Sequence, residues 1–466
     1  MIGENMAQNI GLQKENKLGS MPMFRLMMTV SIPMVISMIV QALYNVVDTL
    51  FVAQLSVEQY ELTAISLSFA AQNFMIAVAT GTGVGINALL SKSLGEKDNE
   101  RANKIANNGL FLALCSYIVF LALGLFAVKL YMHLMTDDAT VIELGKEYIS
   151  ICFLFSFGLF GEIAMERFMI STGKTHLAMC TQGLGAIMNI ALDPIFIFGL
   201  FGLPALGIRG AAVATVLGQI IAFLVSILLN AKFNKDIHLS IKGFRPDGKI
   251  IGRIYAIGVP SIIMASIGSL MNMMLNSILN SFVDIGRYAQ NAFGAYFKLQ
   301  SFVFMPVFGL NNGIVPIVAY NYGARKKKRM LSAAFIGMAL ATGYMLSCLV
   351  LFELVPSLLL TPFVTEAQTM KIALVAMRVL ALSFVFAGSA IIMGSVFQAL
   401  GKSVFSMIIS ICRQIVVLIP LAYLFSLSGN VDLVWWSFPL AECASFILSV
   451  IFLIVVYKKI ISQVKE

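Results

Sequence analysis

Residues 81–95, "GTGVGINALLSKSLG", return 228 residues later as "GLNNGIVPIVAYNYG" (309–323), with Gly81, Gly85 and Gly95 matched by Gly309, Gly313 and Gly323. The same offset lays "STGKTHLAM" (171–179) on "ALGKSVFSM" (399–407). An offset of 227 lays "IPMVISMIV" (32–40) on "VPSIIMASI" (259–267). Three separate matches at nearly one offset mark an internal duplication, so the 466 residues are read as two related halves.

Composition sets the environment of both halves. Hydrophobic residues make up 59% of the chain and charged residues 12%, and the mean hydropathy is +0.89. Apolar runs of about 20 residues, enough to cross a hydrocarbon core of about 30 Å, recur throughout. Twelve spans are expected, near 25–54, 62–90, 106–131, 146–171, 177–201, 209–231, 252–281, 288–318, 331–356, 370–399, 403–427 and 433–457. The first twenty residues hold no apolar core, so the first span is expected to direct insertion itself. With six spans in each half, both halves begin on the same side of the membrane. The expected fold is therefore all-α, with two six-helix bundles related by a pseudo-two-fold axis along the membrane normal. The expected division is an N-terminal segment 1–24, a first lobe 25–231, a connector 232–250, and a second lobe with a short tail, 251–466.

The net charge of +9 is a matter of orientation. Odd-numbered connections carry only Lys129, Lys146, Arg209, Arg287 and Lys371, while most of the other Lys and Arg residues lie at the termini and in even-numbered connections. By the positive-inside rule both termini and the connector face the cytoplasm of a cell-membrane protein. "RKKKR" (325–329) is then a topology anchor, not a nucleic-acid patch. The six cysteines stand singly in apolar spans, and the three histidines lie in connections, apart from one another. No nucleophile elbow, phosphate loop or zinc-binding helix motif occurs, and "STGK" (171–174) lacks the glycine spacing of a phosphate loop. These absences argue against an enzyme and call for no bound cofactor.

Charge inside a membrane span is costly and usually faces a cavity. Asp193, in "NIALDPIFIFGL" (189–200), and Asp48, in the first span, are such residues. Asn189 lies one turn from Asp193 on the same helix face, and Pro194 gives that helix room to bend.

The chain resembles the multidrug and toxic compound extrusion (MATE) transporters over nearly its whole length. The resemblance rests on "IPMVISMIVQALYNVVDTLFV" (32–52), the glycine-rich ends of the second and eighth spans, "NIALDPIFIFG" (189–199), "GIRGAAVATVLGQ" (207–219) and "RQIVVLIPLAYLF" (413–425). It implies two lobes around a cleft and export of organic cations by antiport with H⁺ or Na⁺.

The resemblance also implies a cation-coupling site at Asp48, Asn189, Asp193 and Thr215. Counted from the expected external ends of their helices, Asp48, Asp193 and Thr215 lie at depths of roughly 10, 12 and 9 Å. Carboxylate, amide and hydroxyl oxygens suit Na⁺, and the carboxylates can instead take protons. Asn45, Glu162, Asn272 and Asn276 are the expected substrate contacts, with Arg167 a candidate partner for Glu166. The second lobe lacks an acidic pair at the repeat-related positions, where Leu275, Asn276 and Leu421 stand. Its charges Lys298, Arg378, Arg413 and Glu442 are expected to form a structural ion-pair network. Expected partners are amphipathic cationic drugs and membrane lipid, with the protein acting as a monomer and without nucleic acid. The alternative reading is a flippase for anionic lipid-linked precursors, for which Lys298, Arg378 and Arg413 would be the substrate contacts.

Overall fold

The computed structural model describes residues 16–52, 60–240 and 244–464, and the side chains of Asn45 and Thr49 lie outside the described residues. The expectation of a substrate contact at Asn45 therefore falls outside them as well. Ten described helices are long and apolar enough to cross a bilayer singly, and two bent pairs bring the spans to twelve. In chain order they are α1 (Met23–Val52), α2 (Tyr60–Gly95), α3 (Asn99–Phe126), α4 (Ala139–Leu154 with Phe157–Ser171), α5 (Thr175–Phe198) and α6 (Ile208–Phe233). The second half contributes α7 (Gly248–Asn280), α8 (Gly286–Gly323), α9 (Lys327–Leu354), α10 (Ala367–Ala381 with Phe384–Ala399), α11 (Ser403–Ser426) and α12 (Val431–Ile461). The chain is a membrane-embedded all-helical protein of two six-helix bundles. Asn16 and Val464 lie at the same end of the bundles, here termed the terminal face.

The two bent helices occupy equivalent places in the repeat and bend by nearly equal angles, 46° in α4 and 49° in α10. At each break a buried serine turns its hydroxyl onto its own backbone: Ser156 donates to the Phe153 carbonyl (2.8 Å) and Ser383 to the Leu380 carbonyl (2.6 Å). Such back-bonding competes with the helical ladder and favours a bend.

The seam between the lobes is formed by α1 against α8 and by α2 against α7 and α8. Its closest approaches obey the internal symmetry. A Cβ on Gly95 would overlap the Tyr320 carbonyl oxygen, and a Cβ on Gly323 would overlap the Lys92 carbonyl oxygen. Gly81 likewise rests on Ile262 and Gly309 on Val35. The repeated glycines thus allow backbone to touch backbone, and these contacts close the seam toward the terminal face.

Proline also shapes the first lobe. Pro33 offers no amide hydrogen to the Thr29 carbonyl one turn earlier. That oxygen instead accepts from Thr175 Oγ1 at the start of α5 (3.5 Å). The connector is laid along α3, whose Asn103, Asn107 and Asn108 side chains accept the amides of His238, Ser240 and Asp247.

Among the described residues, the expected four-member ion-pair network of the second lobe is not formed. Arg413 Nη1 meets Glu442 Oε2 at 3.1 Å, where α11 widens into a π-helical turn over Cys412–Leu418. Arg378 is exposed and lies 3.9 Å from Glu353 instead. Lys298 is exposed beside Glu366 and Thr369. Long cationic side chains reach outward from a bundle sooner than they submit to burial.

Candidate functional site

Four polar residues of α1 recur at helical spacing: Ser37, Gln41, Tyr44 and Asp48. On α5, Gln182, Asn189 and Asp193 do the same, and Thr215 and Gln219 stand one turn apart on α6. Residues at these spacings share a helix face, and the three faces meet inside the first lobe. With α2 and α4 they border a cavity of about 110 Å³, lined by Tyr44, Glu162, Arg167, Gln182, Asn189 and Thr215 among others.

Near the end away from the terminal face, Asn189 Nδ2 donates to Asp193 Oδ1 (3.4 Å) and to Thr215 Oγ1 (3.3 Å). Asp193 is fully buried, and Asn189 is 3% exposed. Asp48 acts on Asp193 through its charge. Tyr44 stands one turn from Asp48 on the same face of α1 and borders the cavity together with Gln41 and Glu162. Behind Asp48, Gln72 Nε2 donates to the Tyr148 hydroxyl (3.1 Å) and to Cys152 Sγ (3.4 Å). One oxygen each of Asp48, Asn189 and Asp193 is buried without a partner. An orphaned buried acceptor costs about 1–3 kcal/mol, and more when it is charged. Three such oxygens beside a hydroxyl form a place where positive charge is stabilising. Two carboxylates with neutral oxygens are hard ligands, suited to an alkali cation or a proton. The described residues hold no grouping of three His, Cys, Asp or Glu that would suit a transition metal.

Toward the terminal face, Glu166 accepts hydrogen bonds from Gln182 Nε2 (2.9 Å) and Thr181 Oγ1 (3.3 Å). The expected Glu166–Arg167 contact is not among the ion pairs of the described residues. Adjacent positions on a helix point about 100° apart, so Arg167 turns to α2 and lies over Gly83, with Nε and Nη1 unpartnered. It still acts on Glu166 through space. Glu162 is 9% exposed, and its Oε1 faces Gly185 of α5.

The structure thus gathers Asp48, Asn189, Asp193 and Thr215, and it places Glu162 in the adjoining cavity. It does not bring Asn272 or Asn276 there. Asn276 Nδ2 turns back to the Asn272 carbonyl (3.0 Å), and both residues sit within the second lobe. Tyr44, Gln41, Gln182, Gln219 and Arg167 were not anticipated as members of the site. Their helical spacing was the available signal.

The profile of the MatE family matches residues 33–195 and 260–424, one match in each lobe and in register with the internal repeat. The chain belongs to the MatE family. Its curated relatives in that family include the multidrug export protein MepA of Staphylococcus saprophyticus, 25% identical, with the alignment covering 92% of this chain and 94% of the relative. MepA of Staphylococcus haemolyticus is 24% identical, over 92% of this chain and 93% of its own. Among solved structures, a MATE protein in a straight conformation superposes with a TM-score of 0.90 at 24% identity, covering 97% of this chain and all of its own. The outward-facing conformation of a multidrug resistance MATE family transporter superposes with a TM-score of 0.87, also at 24% identity, covering 96% and 99%. A MatE protein of this build is a membrane transporter, not an enzyme.

Proposed function

We propose that the protein is a secondary exporter of amphipathic organic cations, exchanging them for H⁺ or Na⁺ as the two lobes open alternately to either side. The observation that carries this reading is the set of unpartnered oxygens on Asp48, Asn189 and Asp193, joined by the Thr215 hydroxyl and opening on a cavity that also holds Glu162. Asp48, Asn189, Asp193 and Thr215 hold the coupling ion, and no other cofactor is required. Charge on the two carboxylates rises as the ion leaves and falls as it enters, which ties the state of the lobe to the gradient. Glu162 supplies a carboxylate for the drug cation, and the Tyr44 ring at the same cavity can stack on the drug's face. The names of the curated relatives, multidrug export proteins, support the substrate class. The basic terminal face is cytoplasmic, and each monomer carries a complete pathway.

An anionic lipid substrate finds little support. Arg413 is paired with Glu442, while Lys298 and Arg378 are exposed rather than gathered in a cleft.

The test is efflux of a cationic dye and of an anionic lipid analogue from the same proteoliposomes under imposed H⁺ or Na⁺ gradients. Wild type should move the dye. Asp48→Asn and Asp193→Asn, nearly isosteric yet unable to balance or release a cation, should each lose gradient-driven efflux at unchanged abundance. Normal efflux by both variants would refute the coupling site, and transport of the lipid analogue alone would overturn the function.

A further inference from the structure

Ahead of α1 a four-residue helix, Lys17–Ser20, lies across the terminal face where the two lobes meet. One side of it grips the first lobe. Asn16 Oδ1 caps the helix by accepting from the Leu18 amide (3.0 Å), and its Nδ2 donates to the Thr172 carbonyl at the end of α4 (3.2 Å). Lys17 and Leu18 lie over Gly173 in the α4–α5 turn, where φ is +78° and a Cβ would come within 2.9 Å of Lys17 Cε.

The other side is held by the second lobe. The Leu18 carbonyl accepts from Asn321 Nδ2 (3.0 Å) and Arg329 Nη2 (3.3 Å). The Gly19 carbonyl accepts from Lys326 Nζ (2.9 Å) and the Met21 carbonyl from Arg329 Nη2 (2.7 Å). Arg329 is aimed by its Nε, which donates to Asn321 Oδ1 (3.1 Å). Helix-end carbonyls have no partners within their own helix, and here side chains of α8 and the α8–α9 turn provide them. Leu18 and Asn321 are fully buried. The segment therefore spans the seam just where α2 and α8 touch at Gly95 and Gly323.

We infer that residues 16–21 are an inter-lobe latch that holds the terminal face shut and must leave the second lobe before that face can open. This rests on the proposed alternation of the lobes and adds to it the element that biases the equilibrium. The segment is continuous with α1, so it travels with the first lobe. Opening separates the α4–α5 turn from the α8–α9 turn, and the grip that breaks is the one on Asn321, Lys326 and Arg329. Release uncovers Leu18 and leaves those donors to water. Loss of the charge-assisted part of this grip should shift the closed-to-open ratio roughly tenfold.

The test uses the full-length protein in lipid nanodiscs, with the native cysteines replaced. Spin labels at Glu100→Cys and Lys402→Cys, exposed positions on the terminal face of each lobe, report the inter-lobe distance without any drug or coupling ion. Arg329→Gln and, separately, Asn16→Ala should each enlarge the long-distance, open population several-fold. In the reverse direction, a short bifunctional thiol cross-linker between Gly19→Cys and Lys326→Cys should abolish that population, and cleaving the linker should restore it. An open population unchanged in both weakening variants, or undiminished in the cross-linked protein, overturns the latch. The cross-linked sample is compared with itself before and after cleavage, so poor folding of a weakening variant does not decide the outcome. A wild type that never shows two distances counts instead against the alternation.

Discussion

Glu162 is the residue whose role the surroundings define most sharply. Its neighbour Glu166 is already engaged by Thr181 and Gln182 and partly offset by Arg167 through space. Glu162 is left as the uncompensated carboxylate at the cavity. A second positive charge on a drug should therefore gain more from it than a first. Glu162→Gln is expected to weaken efflux of dications relative to monocations by roughly tenfold, about 1.4 kcal/mol of lost attraction. Efflux of paired mono- and bis-quaternary compounds checks this, and an equal loss for both would remove Glu162 from the drug site. At this scale the sequence was legible for the acids of the first lobe, and not for which charges pair in the second. Asp48 and Asp193 stand out because an ion in an apolar span is expensive. Tyr44, Gln41 and Gln182 were missed because neutral polar side chains also make ordinary helix contacts. Only their convergence around one cavity separates the two cases.

Among elements, α2 and α8 bear the most constrained contact. Their backbones touch at Gly95 and Gly323, and a single methyl group at either place meets a carbonyl oxygen of the other helix. Gly95→Ala should destabilise the closed terminal face by about 1–3 kcal/mol, the usual cost of overpacking. Gly183→Ala in α5, where a Cβ would have nothing within 4 Å, should instead be neutral or slightly stabilising. Thermal unfolding of the two variants in one detergent makes the comparison, and equal midpoints would contradict the seam packing. The breaks at Ser156 and Ser383 show what hydropathy leaves unread at this scale. Both runs are predominantly apolar and carry no proline or helix-breaking cluster at the break, so each was read as a single span. What marks each break is a hydroxyl that bonds backward, a choice invisible to periodicity.

Over the whole molecule, the basic residues predict sidedness. Lys235, in the exposed connector, should be cytoplasmic. A cysteine placed there in a cysteine-free background should resist membrane-impermeant reagents in intact cells and react once the cells are opened. Labelling from outside would invert the topology and with it the direction assigned to transport. The sequence by itself determined the membrane environment, the twelve spans, the duplicated lobes and the acids of the first lobe, because each follows from hydrophobic run length, charge placement or repetition along the chain. Tertiary structure alone decided which polar faces converge on the cavity and that Arg167 turns to Gly83. It also decided that Lys298 and Arg378 stay outside any network with Glu442, and that residues 16–21 bridge the lobes. These depend on how helices far apart in sequence rotate and approach, which packing fixes only when all of them are in place.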